Sequence, residues 1–233
     1  MPSSTHPIRA AAVAVLLTGA ALIASLLIGV LVLLPAIFLG MDVFSLPVIV
    51  AAFIPGQLGF FGVGFWYARR YNLRVHISIP TQQALVYTLG SVIIALIIAP
   101  GAGFILQELG VLPESVIEDV ATTNPLFLLI LAGLSVILVA PVEEYLFRGV
   151  IQGRLRQAFG PVGAILGAGV LFGLVHFLNF IGSPTQILVG VLFITIIGTV
   201  FGTVYELTNN LTVPILGQAI YNVVIFLTAF ETM

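Results

Sequence analysis

The stretch APVEEYLFRGV, residues 140–150, places two carboxylates and an arginine at the end of an apolar run. Fifteen uncharged residues, 126–140, come before Glu143 and Glu144, and Arg148 follows four residues after the second glutamate. An ionisable group at mid-depth in a membrane helix costs about 2.5–3.5 kcal/mol on insertion scales, so such groups usually have a function. These three side chains are the first candidates for chemistry.

The spacing of the three charged residues separates their roles. In a helix, Glu144 and Arg148 lie on one face and partly neutralise each other. Glu143 is turned by about 100° from Glu144, so it points elsewhere and lacks that partner. A poorly solvated carboxylate without a counter-charge suits a general base. We therefore expect Glu143 to react and the Glu144–Arg148 pair to orient the site.

Two later segments carry the other polar residues of apolar runs. One holds His176, which can exchange a proton near neutral pH, with Asn179 close to its end. The other holds Gln218 and Asn222, four residues apart, whose amides face one way and could donate N–H groups to a developing oxyanion. Pro141 is expected to kink its helix and to make room for water. We predict that these sets share one site.

The composition indicates which solvent surrounds these residues. Of 233 residues, 60% are hydrophobic and 7% are charged, whereas soluble domains carry about 25% charged residues. The solvent must therefore be lipid. The chain has no cysteine and no lysine, which excludes disulfides, thiol catalysis, zinc–thiolate sites and Schiff-base chemistry. The first apolar segment is far longer than the roughly 7–15 residues of a signal-peptide core, so we interpret it as a retained helix.

Apolar segments of spanning length define the elements that must position the site. A membrane span needs roughly 20 apolar residues. Such segments run approximately over 10–36, 47–68, 82–104, 125–147, 161–180, 185–205 and 211–230. The predicted fold is therefore an all-α, polytopic transmembrane helical bundle of about seven spans. We divide it into an N-terminal three-helix part, 1–124, with an extracytoplasmic acidic loop, and a catalytic four-helix core, 125–233.

Charge and glycine spacing refine this prediction. With the N-terminus in the cytoplasm, all seven arginines fall inside and most acids fall outside, as the positive-inside rule requires. We predict an integral protein of the plasma membrane in that orientation, with Glu206 exposed at an inner helix end. Small residues four apart predict close helix packing; the pairs are Gly163 with Gly167, Gly169 with Gly173, and Gly198 with Gly202.

Three motifs of this sequence resemble those of a known family. PVEEYLFRG is similar to the EExxxR motif of the CAAX prenyl endopeptidase and bacteriocin-processing (CPBP, or ABI) family of intramembrane proteases. LFGLVHFLNF resembles its FxxxH motif through Phe172 and His176. PILGQAIYN resembles its third motif, in which a proline leads into HxxxN. The resemblance covers about residues 125–225 and follows the family's order.

The resemblance implies a role for each matching residue. Glu143 and His176 would activate the water that cleaves a peptide bond, and Asn222 would serve the oxyanion or, in an alternative view, a metal. Gln218 stands where the family has histidine. Glutamine can donate a hydrogen bond, but it is a poor metal ligand and cannot carry a proton. Phe172 would help the Glu144–Arg148 pair to orient the site.

The function implied by the resemblance is that of an intramembrane endopeptidase of the CAAX-processing type. Its partners would be the lipid bilayer and a hydrophobic or lipidated peptide, with no nucleic acid. We expect no cofactor, with a divalent metal as the alternative, and a cavity that opens toward the cytoplasm. The competing interpretations are a catalytically silent membrane binding protein, which the residue at position 218 favours, and a small proton-coupled transporter.

Overall fold

The structure, a computed structural model, describes residues 6–233, which are almost entirely helical. The α-helices of this range are α1 (Pro7–Phe38), α2 (Leu46–Arg70), α3 (Gln82–Glu108), α4 (Val116–Thr123), α5 (Leu126–Leu134), α6 (Ala140–Glu144), α7 (Gly153–Val175), α8 (Pro184–Thr208) and α9 (Thr212–Glu231). The remaining elements are two π-helical segments, Ser135–Val139 and Tyr145–Gln152, a 3₁₀ turn, His176–Asn179, and strands β1 (Glu114–Ser115) and β2 (Phe180–Ile181), which pair antiparallel.

Six helical stretches within residues 6–233 are long and apolar enough to cross a membrane. One of them, Leu126–Asn179, has 54 residues; as a straight helix it would be roughly 80 Å long, against a hydrocarbon core of about 30 Å. It breaks at Gly160, where φ is 69°, and Pro161 follows. The stretch is therefore two spans, and the predicted all-α bundle of about seven spans is confirmed.

Contacts across Gly160 show that the two halves run antiparallel. The rings of Phe147 and Phe172 meet edge to face, with their centroids 5.1 Å apart. A Cβ atom on Gly167 would lie 2.9 Å from Cδ1 of Leu155. Each pair lies on opposite sides of the break at similar separations from it, as in a helical hairpin. We call residues 126–159 the motif helix and residues 161–175 the return helix.

The motif helix is longer than its hydrophobic run predicts. The apolar segment ends near residue 147, but helical structure continues to the break at Gly160. Arg148 is therefore buried, with 1% of its surface exposed, and does not lie at the aqueous boundary where the charge count placed it. The hydrophobic run ends at this arginine, yet the partner carboxylate of Glu144 allows the arginine to stay within the bundle.

A proline shapes the part of the motif helix that carries the carboxylates. Pro141 has no N–H, and its ring collides with the preceding turn of a regular α-helix. The helix widens there, and the N–H of Ala140 donates to the carbonyl of Ser135, five residues back. The second π-helical segment begins directly after Glu144. The irregularity expected at Pro141 thus takes the form of π turns on both sides of α6, a feature that is frequent at functional sites.

Glycines let the return helix approach α8 closely. A Cβ atom on Gly173 would collide with Oγ1 of Thr195 and lie 2.6 Å from the carbonyl oxygen of Val191. A Cβ atom on Gly169 would lie 2.7 Å from the methyl carbon of Thr199. The predicted close packing therefore holds at these glycines, whereas Gly163 and Gly167 face side chains of their own hairpin.

We expect Gly173→Ala to lower the midpoint of thermal unfolding in detergent, because the backbone of α8 must move away from the new methyl group. Gly133→Ala is the matched control, since no atom of a neighbouring element lies within 4 Å of that position. In a helix, alanine is better than glycine by about 1 kcal/mol. The control should therefore melt no lower than the wild type. Equal melting of the two variants would contradict the close approach.

Different backbone and side-chain hydrogen bonds connect the loops at the two ends of the bundle. At the end that carries Arg74 and Arg156, the non-helical segment 73–81 is tied to the turn between α8 and α9. Asn210 donates to the carbonyl of Ser78 (3.0 Å) and accepts from its N–H (3.1 Å), and the N–H of Leu211 donates to the carbonyl of His76 (2.9 Å). At the opposite end β1 pairs with β2.

Candidate active site

The carboxylate of Glu143 lies inside the bundle, where α9 supplies its partner. Only 8% of the glutamate is exposed. The side-chain amide of Gln218 donates to its Oε2 over 2.6 Å. A hydrogen bond to a charged acceptor is shorter and stronger than one between neutral groups. The contact therefore fixes the direction of the carboxylate, and it brings together residues of the first and third motifs.

His176 begins the 3₁₀ turn that follows the return helix, and its ring is held by one hydrogen bond. Its Nδ1 lies 2.7 Å from the carbonyl oxygen of Phe172. A carbonyl oxygen only accepts, so Nδ1 must carry the proton of this bond, and the lone pair of the neutral ring is on Nε2. The imidazole is half-buried and interacts electrostatically with Glu143. The predicted acid and imidazole are thus within electrostatic range of each other.

The Glu144–Arg148 pair lies beside this centre and is enclosed by protein. Nε of Arg148 is 3.2 Å from Oε2 of Glu144, and the two side chains are 1% and 0% exposed. The guanidinium lies over the ring of Phe172, 4.5 Å from its centroid. The same ring is 4.7 Å from the imidazole of His176. Phe172 therefore connects the ion pair to the histidine, as a site-orienting residue would.

The amides of the third motif occupy different surroundings. Gln218 is 3% exposed, and its Oε1 has no hydrogen-bond partner within residues 6–233. Its amide nitrogen has two N–H groups, and one of them is used by Glu143. Asn222 lies one turn further along α9, is half-buried and makes no hydrogen bond to the other candidate residues in the described chain. Asn179 ends the 3₁₀ turn, in line with its expected helix-end role.

Sequence reasoning missed a second group of polar residues beside the site. The side chain of Glu206 is not fully exposed as predicted: 13% of it is accessible, and it forms an ion pair with Arg156. Gln152 is completely buried and donates to the carbonyl of Gly202 over 3.0 Å. The signal was present in the four-residue spacing of Arg148, Gln152 and Arg156, which places them on one helix face.

Two cavities lie at the arginine-bearing end of the bundle. One, of about 580 Å³, is lined by residues that include Gln152, Arg156 and Glu206. The other, of about 700 Å³, is lined by residues that include Arg74 and Tyr145. Neither cavity is lined by Glu143 or His176. These cavities border neighbours of the acid–imidazole pair, and an opening from the cytoplasm to the pair itself stays a prediction.

The residues at the site do not form a typical catalytic metal centre. Catalytic zinc sites use three protein ligands plus water. Glu143 and His176 supply two such donors, and no group of three or more His, Asp or Glu side chains converges within residues 6–233. The side chain that would provide a third donor is the amide of Gln218, whose nitrogen points at Glu143.

Together, the fold and the site define an integral membrane protein with a buried carboxylate and a half-buried imidazole within electrostatic range of each other. Residues 124–224 match the model of the Rce1-like family, described as type II CAAX prenyl endopeptidase Rce1-like. The match contains all three motifs and confirms the resemblance to the CAAX-processing proteases. No curated protein and no solved structure matches the chain.

Proposed function

We propose that this protein is an intramembrane endopeptidase of the CAAX-processing type. The observation that carries the proposal is the position of Glu143, which is held by Gln218 at 2.6 Å and lies within electrostatic range of His176, in the segment that the family model matches. At the level of the family, the match supports protease function. The roles of individual residues and the nature of the substrate are our inference.

The proposed reaction begins with a water molecule between Glu143 and Nε2 of His176. Glu143 takes a proton from the water while the water oxygen forms a bond to the peptide carbonyl carbon. The second N–H of the Gln218 amide, with Asn222, donates to the resulting oxyanion. When the C–N bond breaks, the proton passes through His176 to the leaving nitrogen, which gives a carboxylic acid and an amine. General acid–base groups of this kind contribute about 10²- to 10⁴-fold in rate.

We further propose that the substrate is a hydrophobic or lipidated peptide that enters from the bilayer, and that no metal or other cofactor takes part. The site lies among membrane-spanning helices, where a water-soluble peptide would have to leave its hydration shell. In the proposed orientation, the protein spans the plasma membrane, and its N-terminus and its arginine-bearing end lie on the cytoplasmic side. The positive-inside rule supports this orientation.

The test is an assay of the purified protein in liposomes with a library of lipidated and unlipidated peptides. In ¹⁸O-labelled water, hydrolysis places one ¹⁸O atom in the new C-terminal carboxylate, which mass spectrometry detects. We expect labelled fragments from membrane-associated peptides, an unchanged yield with chelator, and cleavage slower by about 10²- to 10⁴-fold with His176→Ala. Peptide binding without cleavage would indicate a silent binder, proton-coupled flux without cleavage would indicate a transporter, and either result would overturn the proposal.

We expect Gln218→Met to lower kcat by about 10- to 100-fold, because the isosteric side chain cannot donate to Glu143. A hydrogen bond to a charged group is worth about 1.5–3 kcal/mol, and each 1.4 kcal/mol is about tenfold in rate. Gln218→His restores both a donor and the family residue, so it should cleave faster than Gln218→Met. The liposome assay measures both variants. Equal rates for wild type and Gln218→Met would show that the contact has no catalytic role.

A further inference from the structure

The motif helix and α8 are joined by polar contacts that repeat every fourth residue on both helices. We call this row of contacts the polar ladder. On the motif helix its members are Arg148, Gln152 and Arg156, and on α8 they are Gly198, Gly202 and Glu206. Residues four apart lie above one another on a helix face. The ladder therefore runs from Arg148, beside the acid–imidazole site, to Arg156 at the arginine-bearing end.

Two of the three contacts, those of Arg148 and Gln152, are hydrogen bonds to backbone carbonyls of α8. Nη2 of Arg148 donates to the carbonyl of Gly198 over 2.9 Å, and Nε2 of Gln152 donates to the carbonyl of Gly202 over 3.0 Å. A Cβ atom on Gly202 would lie 2.9 Å from Oε1 of Gln152. A side chain at position 202 would therefore crowd the amide of Gln152 in its present position.

The third contact of the ladder, at the arginine-bearing end, is an ion pair. Glu206 forms an ion pair with Arg156 and also lies 3.4 Å from Nε2 of Gln152. Gln152 therefore contacts two of the ladder residues on α8, Gly202 and Glu206. It has no exposed surface, so these contacts are made inside the protein.

We propose that Gln152 is a positioning residue that fixes the register of the motif helix against α8, and through it the direction of Arg148. The inference rests on the proposed function, since its consequence for rate requires that Glu143 and Glu144 serve catalysis. Its basis is local. Arg148 lies inside the π-helical segment Tyr145–Gln152, which ends at Gln152. Wide π turns are rare and irregular, so an external contact at each step keeps the segment in one arrangement.

A purely structural role for Gln152 makes a different prediction. Hydrogen bonds between membrane helices often add only modest stability, and loss of such a contact would lower the yield of folded protein without changing its rate. A positioning role instead predicts lower kcat in the folded protein with little change in KM. Displacement of a catalytic group by about 1 Å can cost about 10²-fold in rate.

The experiment combines kinetics with a distance measurement that needs no activity. Gln152→Met keeps the shape of the side chain and removes its donor, and Gln107→Met is the matched control on an exposed glutamine of α3. The chain has no cysteine, so spin labels can be attached at Phe159→Cys and Leu207→Cys alone. These positions are exposed at the ends of the motif helix and α8. Double electron–electron resonance spectroscopy gives the distance between the two spin labels.

We expect Gln152→Met to shift or broaden the distance distribution and to lower kcat by about 10- to 100-fold, with KM within about twofold. The control should leave both unchanged. In Gln152→Glu the like charge of Glu206 should enlarge the shift, and the double variant Gln152→Glu, Glu206→Gln should reverse part of it. An unchanged distribution in Gln152→Met overturns the inference whatever the rate, and so does a changed distribution with wild-type kcat. If the wild type cleaves no peptide, the proposed function fails and the distance alone decides whether Gln152 sets the register.

Discussion

Replacement of Glu143 by glutamine is expected to lower kcat/KM for peptide cleavage by about 10²- to 10⁴-fold, the range that general base catalysis supplies. The amide has nearly the same shape as the carboxylate but cannot take a proton from water. Gln218, which donates to Oε2 of Glu143 over 2.6 Å, can donate equally to the new amide oxygen. The fold should therefore be retained, and the loss should appear in kcat in the liposome assay.

The histidine provides a check on this result. If Glu143 and His176 act on one water molecule, the double variant Glu143→Gln, His176→Ala should be little slower than either single variant, because groups that act as a unit are strongly non-additive. Thermal unfolding of the detergent-solubilised Glu143→Gln protein should occur within a few degrees of the wild type. A Glu143→Gln protein that cleaves at the wild-type rate would refute the assignment of the base.

The second large effect is expected from Arg148→Met and concerns stability. The variant leaves Glu144, which is 0% exposed, without its counter-charge. Loss of one partner from a buried ion pair typically costs about 3–5 kcal/mol. The same change removes the guanidinium from the ring of Phe172 and its hydrogen bond to Gly198. We expect a much lower yield of folded protein and a lower midpoint of thermal unfolding.

A double variant distinguishes two causes of this loss of stability, the unpaired buried charge and the lost packing. In Glu144→Leu, Arg148→Met both charges are absent, and replacement of a buried pair by apolar residues is often neutral or stabilising. The double variant should recover much of the stability that Arg148→Met loses, yet should remain slow in peptide cleavage because the site-orienting contacts are gone. No recovery of stability would show that packing and hydrogen bonding, rather than the unpaired carboxylate, cause the loss.

Much of the fold could be predicted from hydrophobicity, because a span needs a long apolar run and the lipid-facing surface leaves few alternatives. The motif residues could be identified because ionisable groups such as Glu143 and His176 are costly in that setting. Their approach in space follows from the hairpin. The short segment α4 and the pairing of β1 with β2 were not predicted, since elements of a few residues carry little periodicity.

The four-residue spacing of Arg148, Gln152 and Arg156 places them on one helix face, but hydropathy could not predict that this face is buried as the polar ladder. Arg148 and Gln152 follow the apolar run directly, so a hydropathy reading places them at the membrane boundary. Their burial depends on partners far along the chain, including backbone carbonyls of α8 that have no residue-type signature. Glu206 was interpreted as exposed for the same reason. Its ion pair with Arg156 joins residues 50 positions apart, and one sequence alone does not show such a contact.

The reversal at Gly160 has a consequence for how the reacting groups can move. Glu143 and His176 belong to one uninterrupted hairpin, whereas Gln218 lies on α9, which is connected through the separate turn after α8. The acid and the imidazole are thus carried by two adjacent helices joined at Gly160, whereas the amide that orients the acid comes from a helix that packs against α3, α5 and α8. A movement of α9 would therefore change the hydrogen bond to Glu143 without breaking the connection within the hairpin.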